Sequence, residues 1–212
     1  MKQKFFKSII LFITVTGSFF MTECGYISQL QNTLVNLQRC KFKLAGVQNF
    51  SLAGVSFAGK SSLSDFSLIG DGAKLATAFA NRSLPAQFTL NVLATNPNDG
   101  TGGTTATSAT LVGMPWNLLI DGKQTVSGDI GTHVQIPGKG QTATIPLPTS
   151  VDLYQFFGDK QYEDIVNLAL AIGGANGSAG RLTLRGTPRV STPLGDISYP
   201  QPIDIVDKEF RN

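Results

Sequence analysis

The chain has 212 residues, of which 42% are hydrophobic and 15% are charged, enough for one globular domain with a buried core. Its 23 glycines, 10 prolines and 14 phenylalanines are typical of a turn-rich β protein. The formal charge of +3 is reduced when the basic first segment is set aside, and the remaining Lys and Arg residues are scattered. This pattern excludes a nucleic-acid partner, which needs a clustered cationic face.

Residues 1–24 are predicted to be an export signal. Lys2, Lys4 and Lys7 precede an uncharged run, SIILFITVTGSFFM, that is shorter than the roughly 20 residues needed to span a bilayer. Cys24 stands where a bacterial lipoprotein signal places its lipid-accepting cysteine, although Glu23 before it is not small. Two alternatives remain open. Either Cys24 is lipidated and anchors the protein in the cell envelope, or the signal is cleaved in the ordinary way and the protein is exported.

The bonding state of the two cysteines depends on whether Cys24 is lipidated. If Cys24 is lipidated, Cys40 is a lone thiol; if it is not, a disulfide between them is an alternative in an oxidising compartment. Residues 25–40 carry Ile27, Leu30 and Leu34 at helical spacing, which indicates an amphipathic spacer.

Residues 41–212 are predicted to form the folded domain, an antiparallel β-sandwich with one principal α-helix. Two similar strings, FKLAGV and FSLAGV, predict consecutive strand segments with a glycine-marked bend, and residues 73–80 are predicted as another short strand.

The stretch 87–98, QFTLNVLATNPN, alternates apolar and polar side chains and then stops at Asn96, Pro97 and Asn98. It predicts a core strand that ends in a turn. The favoured role of the three final residues is a structural turn, since Asn side chains bond nearby backbone groups and Pro97 restricts φ. Contact with a ligand is the alternative.

Later segments supply a hairpin, two more strands and a helix. Asp121-Gly122 predicts a two-residue hairpin turn, while Pro115 suggests an edge position or a bulge. A helix is predicted to begin near a capping box of Thr149 and Asp152. It bends at residues 158–160 and ends at residues 173–174, where glycine adopts the left-handed conformation. Strands over 181–189 and 197–206 close the chain.

These elements, in this order, resemble a known family. The strand ending in Asn96-Pro97-Asn98 precedes LLIDGKQTVSGDI, QTATIPLPTSV and TPLGDISYP. The set is similar to the group 2 late-embryogenesis-abundant (LEA type 2) proteins, whose module is the water-stress and hypersensitive-response (WHy) domain. The Gly- and Thr-rich loop 99–105 and the long segment 50–80 depart from that pattern.

The resemblance implies an immunoglobulin-like or fibronectin-like β-sandwich with a helix closing one end and no catalysis. It also implies an association with desiccation and other stress, and export or lipid anchoring in bacterial relatives. No cofactor, metal or small-molecule substrate is expected.

Catalytic alternatives have weak support. His133 is the single histidine, so a hydrolase would depend on it, and the elbow-like string at 54–58 lacks its final glycine. Asp152, Asp159, Glu163 and Asp164 are interpreted as a solvated helix face. Four further carboxylates lie in or near loops and could bind Ca²⁺ weakly, but none follows a recognised calcium-binding spacing. They are Asp71, Asp99, Asp121 and Asp129.

The sequence therefore predicts a non-enzymatic exported protein with a protective or binding role at the cell envelope. Its expected partners are a membrane surface or envelope proteins. The alternative function is that of a structural or assembly lipoprotein that pairs with another envelope protein through an open strand edge, and a hydrolase is the weakest of the three.

Overall fold

The computed structural model describes residues 39–101, 106–177, 179–192 and 195–207. The predicted export signal, Cys24 and the spacer up to residue 38 lie outside the described residues. In chain order the strands are β1 Lys41–Leu52, β2 Val55–Ser56, β3 Pro85–Asn96, β4 Ala109–Gly113, β5 Trp116–Ile120, β6 Lys123–Gly128, β7 Val134–Ile136, β8 Gln141–Asp152, β9 Leu182–Gly186, β10 Arg189–Thr192, β11 Gly195–Ser198 and β12 Ile203–Ile205. The α-helices are α1 Asp71–Ala80, α2 Leu153–Phe157 and α3 Tyr162–Gly173, and short 3₁₀ turns occupy Leu63–Asp65 and Ala179–Arg181.

The first layer is an antiparallel sheet in the order β2-β1-β3-β8. β3 is the strand predicted from the alternation, and it pairs with β8 along its whole length, from Pro85 opposite Asp152 to Asn96 opposite Gln141. Its alternate residues from Ala86 to Asn96 are buried. The predicted core strand is therefore confirmed as an interior strand of its sheet.

The second layer consists of two antiparallel sheets, β11-β10-β4-β7 and β12-β9-β5-β6, joined end to end. β4 leads into β5 at Pro115, and β9 leads into β10 at Pro188. Across this break the amide of Thr187 donates to the carbonyl oxygen of Pro115 at 2.9 Å. The predicted edge position for Pro115 is wrong, because both strands beside it are interior. The proline interrupts the ladder, since it has no amide hydrogen to donate.

Helix α1 corrects the predicted strand at 73–80. The segment contains several alanines and a lysine, which favour a helix, and only Leu75 on α1 is fully buried. The helical spacing buries Leu75 fully, and Ala78 and Phe79 pack against the core while partly buried.

The start of the next helix is also displaced from its prediction. Thr149 lies inside β8, and Asp152 alone caps α2 by accepting a hydrogen bond from the amide of Tyr154 at 2.9 Å. The break after α2 is confirmed at Gly158. The end of α3 is confirmed too, but Gly174 has φ −75°, so the predicted left-handed cap is wrong. Glycine is needed there for space, because a Cβ on Gly173 would lie 2.1 Å from the ring of Phe50.

One apolar core joins the layers and the helices. Phe42, Leu44, Leu90 and Val92 come from the first layer, and they pack in the same cluster as the buried residues of the second layer and of α3. The prediction of a mostly β, antiparallel sandwich with one principal helix is confirmed, and α1 is an additional helix.

Candidate functional site

The asparagines of the Asn-Pro-Asn turn are buried, each with only 1% of its surface exposed. The Asn96 amide donates to the carbonyl oxygen of Thr107 at 3.0 Å. Its Oδ1 accepts from the backbone amide of Asn98 at 3.2 Å and from the side-chain amide of Asn98 at 2.7 Å. The two asparagines therefore bond to each other and to the far side of the loop that follows β3.

The same turn holds the segment that precedes β8. The amide of Lys139 donates to the Asn98 carbonyl at 2.9 Å, and the amide of Gly140 donates to the Asn96 carbonyl at 2.8 Å. Lys139 and Gly140 both have positive φ, as a tight turn requires. Three chain segments meet at the two asparagines, and this arrangement can fix the loop after β3 against the turn before β8.

Cys40 and Tyr199 form a buried pair beside this turn region. Cys40 is 0% exposed, and its carbonyl oxygen accepts a hydrogen bond from the Tyr199 hydroxyl at 3.1 Å. Burial raises the pKa of the Cys40 thiol to about 11. Burial and the neighbouring Cys40 raise the pKa of Tyr199. Both groups are neutral near pH 7, so the Cys40 thiol is a poor nucleophile.

The residues of the hydrolase alternative lie in separate places. His133 is exposed in the bend before β7. Ser56 lies in β2, where its hydroxyl oxygen accepts from the amide of Ala58 at 3.3 Å. No helix follows Ser56 directly, so the strand-to-helix elbow that exposes a nucleophilic serine is not formed at this position.

The carboxylates of the predicted helix face divide into two groups. Asp159, Glu163 and Asp164 are exposed, as a solvated face requires. Asp152 is different, because it accepts from the amide of Leu84 at 2.8 Å and from the hydroxyl of Ser83 at 3.0 Å, besides capping α2. Asp152 therefore joins the entry of β3 to the exit of β8.

The carboxylates outside that helix face each have a different partner. One guanidinium nitrogen of Arg181 donates to both carboxylate oxygens of Asp121, at 2.9 and 3.0 Å, and Asp99 accepts from Thr101. Asp71 lies 3.9 Å from the Lys74 ammonium, and Asp129 accepts from the amide of Met114 at 2.6 Å. Within the described ranges, no group of three metal-binding side chains comes together.

A polar cleft of about 320 Å³ lies between the β5–β6 turn and α3, and no sequence motif predicts it. Acidic and basic side chains balance one another around it, so it has no marked preference for an anion or a cation. Its parts lie far apart in the sequence, and no local pattern connects them. They are Asp121, Lys160, Asp164, Asn167, Leu168 and Arg181.

Two adjacent aliphatic side chains project from the surface before α1. Leu68 is 90% exposed and Ile69 is 95% exposed. The loop that carries them is held by its backbone, since the amides of Gly70 and Gly72 both donate to the carbonyl of Ser67. Among the described helices, none combines the length and the apolar character needed to cross a membrane.

No protein-family model and no curated protein matches the sequence. Among solved structures, the chain is similar to the solution structure of a protein described as late embryogenesis abundant (LEA), at 15% identity and a TM-score of 0.35, over 94% of this chain and 87% of that one. A crystal structure of a protein from Archaeoglobus fulgidus is similar at 11% identity and a TM-score of 0.32, over 58% of this chain and 87% of that one. The solution structure of a protein from Arabidopsis thaliana is similar at 17% identity and a TM-score of 0.29, over 61% of this chain and 76% of that one.

One of these three structures is thus of a protein described as LEA, the group that the sequence motifs of this chain resemble.

Proposed function

We propose that this chain is a non-enzymatic, exported LEA type 2-like protein that protects or binds other molecules at the cell envelope under stress such as desiccation. The observation that carries the proposal is the end of the central strand, where Asn96 and Asn98 are buried and bonded to each other. The motif that resembles the family is thus built into the scaffold of the sandwich. We infer that Asn96, Pro97 and Asn98 act as a structural turn.

The other segments that carry the resemblance occupy successive elements of the same sandwich. LLIDGKQTVSGDI contains the β5–β6 hairpin, and QTATIPLPTSV lies within β8. Asp121 and Gly122 at the tip of the hairpin have φ of 49° and 77°, as a type I′ turn requires. An ordered set of motifs in one architecture is stronger support than any one of them alone.

Protection is tested by drying. The processed protein would be mixed with a labile enzyme and, separately, with dye-loaded liposomes, then dried and rehydrated. We expect at least twofold more retained enzyme activity and retained dye than with an equal mass of an inert protein. Equal retention would overturn the protective role. The His133→Ala variant is the control for catalysis, because loss of a measured hydrolysis in that variant would establish an enzyme.

We further propose that Cys24 is lipidated and tethers the protein to a bacterial membrane. The position of Cys24 just after the uncharged run supports this choice, because a lipoprotein signal ends at its lipid-accepting cysteine. Mass spectrometry of the mature N-terminus tests it. A diacylated or triacylated Cys24 is expected, and an unmodified terminus beyond residue 24 would contradict it.

An assembly role is the second candidate, and the projecting pair Leu68 and Ile69 favours it. The edge strand β8 is a poor site for pairing, because Pro146 and Pro148 lack amide hydrogens. Cross-linking in intact cells should capture one stoichiometric partner, and the L68S/I69S variant should lose it while the exposed control A73S/A76S keeps it. A diffuse spread of cross-links would contradict this role.

A further inference from the structure

The end of the sandwich at which the chain enters β1 carries four basic residues. Arg39 and Lys41 are exposed, Lys43 is half-buried, and Lys139 is exposed in the turn before β8. Phe42 and Leu44, between and after the lysines of β1, are buried. The alternation of a strand therefore directs Lys41 and Lys43 to the outer face of the first layer.

Pairing in the sheet places these residues at one end. Lys41 lies opposite Thr95 and Lys43 opposite Leu93, close to where β3 ends at Asn96. The Lys139 amide bonds to the Asn98 carbonyl, just beyond the same strand end. We call Arg39, Lys41, Lys43 and Lys139 the basic end.

Few opposite charges border the basic end within the described residues. Hydrogen bonds from Thr101 lower the pKa of the Asp99 carboxyl, and the charge of Arg39 contributes to the same shift. Asp207 follows Val206, whose carbonyl accepts from the amide of Leu44 at 3.0 Å. Among the described residues, the four basic side chains of this end outnumber its two carboxylates, Asp99 and Asp207. The neighbouring outer-face positions of β8 are uncharged hydroxyls, Thr142 and Thr144.

The position of the basic end relative to the tether makes it relevant to a membrane. Residues 25–40 separate Cys24 from β1, and a fully extended chain covers roughly 3.5 Å per residue, so this segment reaches at most about 56 Å. A lipid on Cys24 would therefore hold the domain near the bilayer by the end that carries the cations. Salt screens charges beyond about 8 Å at physiological ionic strength, so only side chains at the facing end contribute to attraction.

We propose that the basic end docks against anionic phospholipid headgroups of the membrane to which the chain is tethered. This inference rests on the proposed envelope location and adds an orientation to it. Anionic lipids attract Lys and Arg clusters near the membrane surface without a shaped pocket. Docking by this end would direct Leu68 and Ile69 away from the bilayer, because β1 and β2 carry the chain to the opposite end before α1 begins.

Lysine footprinting on vesicles tests the orientation. The processed protein would be purified from the expressing bacterium in detergent and reconstituted with vesicles of phosphatidylcholine alone or with about one third phosphatidylglycerol. Acetylation rates would then be measured by mass spectrometry. We expect Lys41, Lys43 and Lys139 to react at least threefold more slowly on the anionic vesicles, and about 0.5 M salt should abolish the difference. Lys74 and Lys160 lie at the end of the sandwich that carries the helices, called the helical end, and they are the internal controls that should react equally on both.

Two variants with equal charge loss sharpen the test. K41Q/K43Q/K139Q should lose the preference for anionic vesicles, and K74Q/R82Q/K160Q should keep it. Equal acetylation on both vesicle types, with the protein bound to both, would overturn the docking proposal and leave the tether intact. Salt-sensitive binding to anionic vesicles alone, lost in the first variant, would support docking and overturn the lipid tether. Binding to neither vesicle type would overturn both.

Discussion

The two ends of the sandwich are closed by different kinds of contact. At the end where β1 begins, amide and carbonyl groups of Asn96 and Asn98 hold the neighbouring loops. At the helical end, aromatic rings hold the neighbouring segments together. The ring centroid of Phe79 lies 5.4 Å from that of Tyr154 and 5.7 Å from that of Tyr162. Both ends are compact, but their stability has different physical sources.

The two kinds of contact differ in how well they tolerate substitution. A buried hydrogen bond requires a partner at one distance and angle, so losing one asparagine leaves the other polar group unmatched. Apolar contacts are shared among many atoms, and a volume-conserving change there is tolerated better than a polar loss. Truncation of a large ring is the exception, because it opens a cavity.

The largest effect is expected from Phe50→Ala at the helical end. Phe50 packs against Phe57 and Phe88 at 5.4 and 5.5 Å and against the backbone at Gly173. Loss of this ring should cost about 3–5 kcal/mol of unfolding free energy in urea denaturation. The exposed control Leu68→Ala should change stability by less than about 0.5 kcal/mol. A loss below about 1 kcal/mol for Phe50→Ala would show that this end does not depend on its rings.

Alkaline pH should weaken the end near Cys40. The folded-state pKa of Cys40 is raised from 9.0 to about 11, so the folded protein retains a proton that the unfolded chain releases. Its contribution is full below pH 9 and is lost as the pH rises to 11, by roughly 2–3 kcal/mol. Melting temperatures from pH 8 to 11 should fall less steeply in Cys40→Ala. Parallel curves would contradict this expectation. A residual slope at the highest pH is expected from Tyr199, whose pKa is also raised.

Asn96→Ala should cost about 2 kcal/mol, because it removes the bond to Thr107 and leaves the buried amide of Asn98 without its acceptor. Asn91→Ala, on the outer face of the same strand, is the matched control and should change stability by less than about 0.5 kcal/mol. Chemical denaturation compares the two variants. Equal losses would show that the turn has no special role.

The smallest effect is expected at Asp152, which connects both strands to the helical end. Asp152→Ala removes the α2 cap and the bond to the Leu84 amide, at a cost of about 1–2 kcal/mol. Asp152→Asn should recover more than half of that loss, since an amide oxygen can still cap. The exposed Asp159→Ala should be neutral in the same thermal unfolding experiment. A neutral Asp152→Ala would remove this residue from the account of the helical end.

Features with local signals could be predicted from the sequence. The hairpin at Asp121-Gly122 and the alternation of β3 each depend on residues within a few positions of one another. The apolar pattern does not predict helix α1, because its one fully buried residue, Leu75, does not mark a helical face, and only its alanine content favours a helix. The predicted capping role of Thr149 is wrong because β8 continues past this residue, held by its long-range pairing with β3.

The polar cleft and the basic end depend on the tertiary fold more than the hairpin and β3 do. Arg181 meets Asp121 across 60 positions of sequence, and Lys139 joins Lys41 only because β3 lies between their strands. The Arg181–Asp121 contact at the polar cleft and the strand pairings that bring the basic residues together are therefore long-range. Spacing along the chain predicts neither the cleft nor the basic end.

The β class, the central strand and the turn residues that end it could be predicted from the sequence, because backbone preference and apolar alternation act over a few neighbouring positions. The roles of those residues depend on the tertiary structure. Asn96 and Asn98 became an internal connection because Thr107 and Lys139 were brought to them. The scattered cations became one basic end because strands distant in sequence pair side by side, and pairing partners are selected by burial of the whole core.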